Sequence, residues 1–135
     1  MAKTFSYGKT EKLKSRKLIE ELFAGGKQFS VFPLKVTFKI VKEPLDFPVK
    51  AGVTVSGRNF KKAVQRNRIK RILREAYRTE KLPLHEAAET GNKQIAFFII
   101  YIDKALPEYL HIKNKMTLVI RRLIKELHEV AVENN

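Results

Sequence analysis

Residues 61–78 read KKAVQRNRIKRILREAYR. Apolar side chains recur at Ile69, Ile72, Leu73, Ala76 and Tyr77, the i, i+3, i+4, i+7, i+8 spacing of one helix face. At about 100° per residue, Asn67, Arg71, Arg74 and Arg78 point away from that stripe. Arg66 and Lys70 lie on one border, and Arg68 lies nearer the other. Between 58 and 78 the chain carries nine Lys or Arg residues and one acid, Glu75. A solvated helix face is usually laced with carboxylates four residues from its cations. This arc is not, so it repels itself unless a polyanion covers it.

The flanking segments fix the fold class. Before the helix, 49–55 alternates Val49, Ala51, Val53 and Val55 against Lys50, Gly52 and Thr54, the period of a strand. Residues 56–60 form the turn between them, with Gly57 and Asn59 as turn formers. After the helix, 94–102 is nearly continuous apolar sequence, expected of a strand covered on both faces. Strand, helix and strand make a βαβ unit, which predicts parallel pairing of the two strands. Pro83, Gly91 and Asn92 frame a short helix near 84–89. A last helix spans about 113–132, with Met116, Val119, Ile120, Leu123, Leu127 and Val130 inside.

Toward the N-terminus, 1–14 is polar and basic and reads as a loose, flexible arm. Ser15 caps a short helix whose apolar face holds Leu18, Ile19, Leu22 and Phe23. Gly25-Gly26 ends that helix, with the left-handed cap that glycine adopts cheaply. Residues 29–42 read as one strand, in which Leu34, Val36, Phe38 and Ile40 face a core and Lys35, Thr37 and Lys39 face away. The two prolines in 43–48 make a loop. Two strands joined by such a loop predict an antiparallel pair. The whole chain reads as a single α/β domain.

Composition bounds the function. The chain has 135 residues, 44% hydrophobic residues, no cysteine and a net charge of +14. Its isoelectric point is near 10.1. The charge favours nucleic acid or an anionic surface as partner. The absence of cysteine excludes disulfides, thiol catalysis and cysteine-zinc sites. The longest apolar run, 95–102, is too short to cross a bilayer, and 1–9 lacks the apolar core of a secretory signal. His85, His111 and His128 are scattered without metal-ligand spacing, and no phosphate loop or nucleophile elbow appears. No catalytic or metal-binding residue is assigned in this chain. Three readings follow: a nucleic-acid-binding subunit whose partner carries any chemistry, a ribosomal or DNA-compacting binder, and a stand-alone nuclease.

Ala63 to Arg71 reads AVQRNRIKR and resembles the RNR motif of the bacterial ribonuclease P protein subunit family, A-x-x-R-N-R-x-K-R. Gly52-Val53-Thr54-Val55-Ser56 is similar to the strand end that precedes the motif in that family. The stretch from Lys12 to Gly26 is similar to its opening helix. The resemblance implies a small two-layer α/β sandwich, with an about four-stranded mixed sheet packed with helices. It is similar to the second domain of ribosomal protein S5, with a left-handed βαβ crossover against the usual rule. It also implies a function: joining a catalytic RNA, ribonuclease P RNA, to remove 5′ leaders from precursor tRNA, with Mg²⁺ held by the RNA. Carried over by position, Arg66, Asn67, Arg68, Lys70 and Arg71 contact that RNA, helped by Arg74, Arg58, Lys61 and Lys62. Lys12, Phe23, Lys35, Thr37 and Lys39 would line a cleft for the leader. The implied assembly is one protein with one RNA, in the cytoplasm and away from membranes. Two departures stand out. Ile19 and Thr37 stand where the family often has aromatics. The turn 56–62 is one residue longer, with Lys61-Lys62 for the common Gly-Asn.

Overall fold

In a computed structural model, residues 11–41 and 48–133 are described, with side chains through 129. The elements run α1 (Arg16–Gly25), β1 (Lys27–Val31), β2 (Leu34–Val41), β3 (Val49–Val55), α2 (Ala63–Glu80), α3 (Leu82–Thr90), β4 (Gln94–Tyr101) and α4 (Tyr109–Glu133). The four strands form one mixed sheet in the order β1-β2-β4-β3. β4 pairs antiparallel with β2 and parallel with β3. The parallel βαβ pairing expected around the basic helix is therefore present.

Strand alternation divides the sheet into two unlike faces. Ile95, Phe97, Ile99 and Tyr101 of β4 join Leu34, Val36 and Phe38 of β2 in the main core. Over them pack Ile69, Leu73 and Tyr77 of α2, Leu84 of α3, and Ile112, Met116, Val119 and Leu123 of α4. Among the described residues, the other face receives α1 and Leu13: Leu13, Leu22, Leu18 and Ile19 meet Ala96, Phe98 and Val41. β4 is apolar at nearly every position because it is central and has helices on both sides.

Ser15 caps α1 as expected, its hydroxyl accepting from the Leu18 amide at 3.3 Å. The glycine stop works differently from the expectation. Gly26 is extended (φ −71°), and a side chain there would meet the Leu22 carbonyl at 2.6 Å. With Thr37 Oγ1 of β2 at 3.0 Å and Phe38 O at 3.1 Å as well, crowding by the helix end and β2, not a left-handed cap, requires glycine.

Three further expectations are corrected. Residues 29–42 are not one strand: Phe32-Pro33 turns the chain, and β1 folds back antiparallel on β2. Proline has no N–H for the ladder, which makes it a hairpin tip and not a strand interior. β2 and β3 do not pair with each other, because β4 lies between them. An element apolar on both faces gains most at the sheet centre, and that placement separates its neighbours in sequence. Finally, the arm is not loose throughout. At 11–13 it runs along β3, with the Leu13 amide donating to Ala51 O at 3.0 Å and the Ala51 amide to Glu11 O at 2.8 Å. Residues 1–10, and the proline loop apart from Pro48, lie outside the described residues.

Candidate nucleic-acid interface

On α2, Ile69, Leu73, Ala76 and Tyr77 are completely buried, as the periodicity requires. Asn67, Arg68, Arg71 and Arg74 are exposed, and Arg66 and Lys70 are half-buried at the stripe's borders. Among the described residues, none of these five cations forms an ion pair. The one acid of the helix, Glu75, pairs with Arg78. That hydrogen bond holds the Glu75 carboxyl below its ordinary range. Glu75 thus neutralises Arg78 and leaves the arc uncompensated.

Arg66 has a second task. Its Nη1 donates to Phe60 O at 2.8 Å and to Lys61 O at 2.6 Å. It clamps the turn that carries the exposed cations Arg58, Lys61 and Lys62. From the other side, Asn59 Nδ2 donates to Ile102 O at 3.1 Å, tying the same turn to the end of β4. Asn59 was expected only to bend the chain, and its cross-link to β4 has no local signal.

On the open sheet face, Phe98 is central. It pairs across with Thr37 of β2 and with Gly52 of β3. A methyl at Gly52 would meet the Phe98 ring at 2.5 Å, so the missing side chain gives the ring its place. Phe23 of α1 is about half exposed and stands 5.5 Å from Phe98, centroid to centroid. The two rings form one aromatic step. Phe98 was overlooked in the sequence because it sits in an unbroken apolar run. Its phase, opposite to Phe97 and Ile99, was the available signal.

The cleft residues expected from the sequence fare unequally. Phe23 and Lys35 reach the open face, and Lys35 makes no ion pair among the described residues. Thr37 is a correction: it is completely buried, and its hydroxyl donates to Leu22 O at 3.1 Å. It anchors α1 and offers nothing to a ligand. Lys39 is exposed but pairs with Glu21 of α1 at 3.2 Å. Lys12 lines a hollow of about 190 Å³ with Lys14, Gly52, Phe98 and Arg74. The basic helix and the open sheet face therefore meet at this hollow, through Arg74 and Phe98. The sequence had kept them apart.

The ribonuclease P family model matches residues 7–123. A ribonuclease P protein component of Porphyromonas gingivalis is 30% identical over 131 residues, covering 97% of this chain and 96% of that protein. One from Chlorobium phaeobacteroides is 28% identical over 128 residues, covering 87% and 88%. Among solved structures, the RNase P protein of Staphylococcus aureus superposes with a TM-score of 0.64 at 22% identity, over 86% of this chain and 99% of that one. That of Thermotoga maritima gives 0.62 at 22% identity, over 83% and 96%. Fold and site together define a basic α/β protein with an exposed cationic helix face beside an open aromatic sheet face. The chain belongs to the ribonuclease P protein family, components of a tRNA-processing endoribonuclease that works as a ribonucleoprotein.

Proposed function

We propose that this chain seats on the catalytic RNA of ribonuclease P through its α2 arc and holds the 5′ leader of precursor tRNA on the open sheet face. Arg68, Lys70, Arg71 and Arg74 contact phosphates, and Asn67 bonds a sugar or base edge. Arg66 does so with the donors its turn leaves free, while it orders Arg58, Lys61 and Lys62. The observation that carries this reading is an arc seated on a buried helix face, with no ion pair to Arg66, Arg68, Lys70, Arg71 or Arg74 among the described residues. A cationic ridge fixed on a βαβ core suits a folded RNA recognised by shape. The leader's bases stack on Phe23 and Phe98, and Lys35 and Lys12 follow its backbone.

Hydrolysis belongs to the RNA, with Mg²⁺ held there. Among the described residues no three carboxylate or imidazole groups gather as metal ligands. No step is assigned to this chain's own residues. One protein joins one RNA, in the cytoplasm. Among the described residues no helix is long and apolar enough to cross a membrane.

Reconstitution tests this directly. Precursor tRNA is incubated with protein, with RNA, and with both, in Mg²⁺. Protein alone leaves the precursor intact, and protein added to RNA lowers KM for leader-bearing substrate. Arg71→Ala weakens assembly and reduces the salt slope of binding by about 0.7–0.9, the value of one phosphate contact. An unchanged slope removes the arc from the interface. Cleavage by protein alone replaces this reading with a stand-alone nuclease.

A further inference from the structure

Away from the arc and the aromatic step lies a buried ionic cluster that binding does not use. Lys81, at the junction of α2 and α3, is 2% exposed, Glu11 is 7% exposed and His85 of α3 is 6% exposed. Lys81 Nζ bonds the Glu11 carboxylate. His85 Nε2 lies 3.7 Å from the same oxygen and 3.1 Å from the hydroxyl of Tyr77, itself completely buried in α2. Burying two charges is costly unless each finds the other in good geometry. Such a cluster has to be explained by what it joins.

It joins the back of the molecule to the segment 11–13. That segment is held on β3 by one isolated bridge and two backbone hydrogen bonds. Two bonds are few for a strand at a sheet edge, where ends fray. Yet Lys12 and Lys14, on either side of the anchored Leu13, line the hollow with Arg74 and Phe98. Leu13 itself is 6% exposed and belongs to the small cluster under α1.

We propose that Glu11, Lys81 and His85 are positioning residues. Their buried cluster pins the 11–13 segment to β3 and so fixes Lys12 and Lys14 beside Arg74, as a preformed seat for the phosphates of a single-stranded leader. The proposal rests on the leader reading given above and adds the residues that build its floor without touching RNA. Preformed cations bind better than loose ones because no ordering remains to be done on contact.

The double variant Glu11→Gln/Lys81→Met removes both charges at similar volume, so neither is left buried and alone. It is compared with Lys12→Ala/Lys14→Ala and wild type, each assembled with the RNA. Hydrogen exchange reads the pinning. In the first variant the Leu13 and Ala51 amides exchange faster, while those of β2 and β4 keep their protection. In the second all of them stay protected. Both variants raise KM for leader-bearing precursor, leave leaderless substrate unchanged, and lower the salt slope for the leader by up to about 1.4, the value of two single-strand contacts.

Unchanged Leu13 protection in the first variant overturns the pinning. Faster exchange with an unchanged leader KM, or an equal loss for leaderless substrate, overturns the positioning. A wild-type complex indifferent to the leader removes the leader reading itself. The exchange data then still decide whether the cluster holds the segment.

Discussion

Gly52 and Phe98 work as two halves of one feature. The ring occupies the space that a Cβ at 52 would take, at 2.5 Å from the ring's far end. Gly52→Ala therefore swings Phe98 away from Phe23. Base–aromatic stacking contributes about 1–3 kcal/mol per base, so affinity for a fluorescent leader oligonucleotide drops by that order. Gly57→Ala, where nothing lies within 4 Å, is the control and leaves that affinity unchanged. Neither half was legible alone. Gly52 reads as a weak strand residue and Phe98 as core, and only the register puts them opposite each other. Tyr101 carries a different single-residue consequence. Burial, and then the Asp103 charge, push its phenol from 10.0 up to about 12, and its hydroxyl donates to Ala105 O. The folded chain keeps a proton that the unfolded chain releases above pH 10. Stability is thus intact below that value and falls as pH rises from about 10 through about 12. Urea unfolding across that interval measures the fall, and Tyr101→Phe makes it shallower.

At the scale of elements, α2 was legible because its register is local. Five apolar positions at helical spacing fix its inner face, and the cations take what remains. The same holds for Ser15 at the start of α1. Sheet order was not local information. Nothing within 29–55 says that β4 enters between β2 and β3, so proximity in sequence predicted the wrong pair. Thr37 failed for a related reason. Its alternation correctly assigns it to the open face, but α1 lies on that part of the face and takes its hydroxyl. Arg66 shows how an element's end is built. The helix N-terminus has no side-chain cap at Lys62, and the first turn holds no acid. Order in the preceding turn comes from the Arg66 guanidinium on two carbonyls and from Asn59 on β4. Arg66→Ala accordingly costs stability as well as RNA contact. A charged hydrogen bond contributes about 1.5–3 kcal/mol, and half-exposure puts the loss near the lower end. Arg71→Ala, on the open arc, leaves the unfolding midpoint in urea unchanged while weakening RNA binding. Equal midpoints for the two variants exclude the clamp.

For the whole molecule, the helix arc and the open sheet face share one corner. Arg74 reaches that corner from α2, Lys12 and Lys14 from the segment along β3, and Phe98 from β4. The reading proposed above sets a leader on the sheet beside an RNA on the helix. Charges at the corner share one hollow, and charges at the far ends do not. This separates pairs of substitutions. Lys12 and Arg74 share the hollow, so a phosphate there readjusts when either is lost. The second loss then costs less than it does alone. Residues in one such network show interaction energies of about 0.5–3 kcal/mol, whereas distant sites add within about 0.3–0.5 kcal/mol. Binding of leader-bearing precursor by the assembled complex is measured for Lys12→Ala, Arg74→Ala and the pair. A second cycle pairs Lys35→Ala with Arg71→Ala, one on the open sheet face and one on the helix arc. The first cycle deviates from additivity and the second does not. Additivity in both cycles means that the two surfaces bind independently and that the hollow is a gap between them.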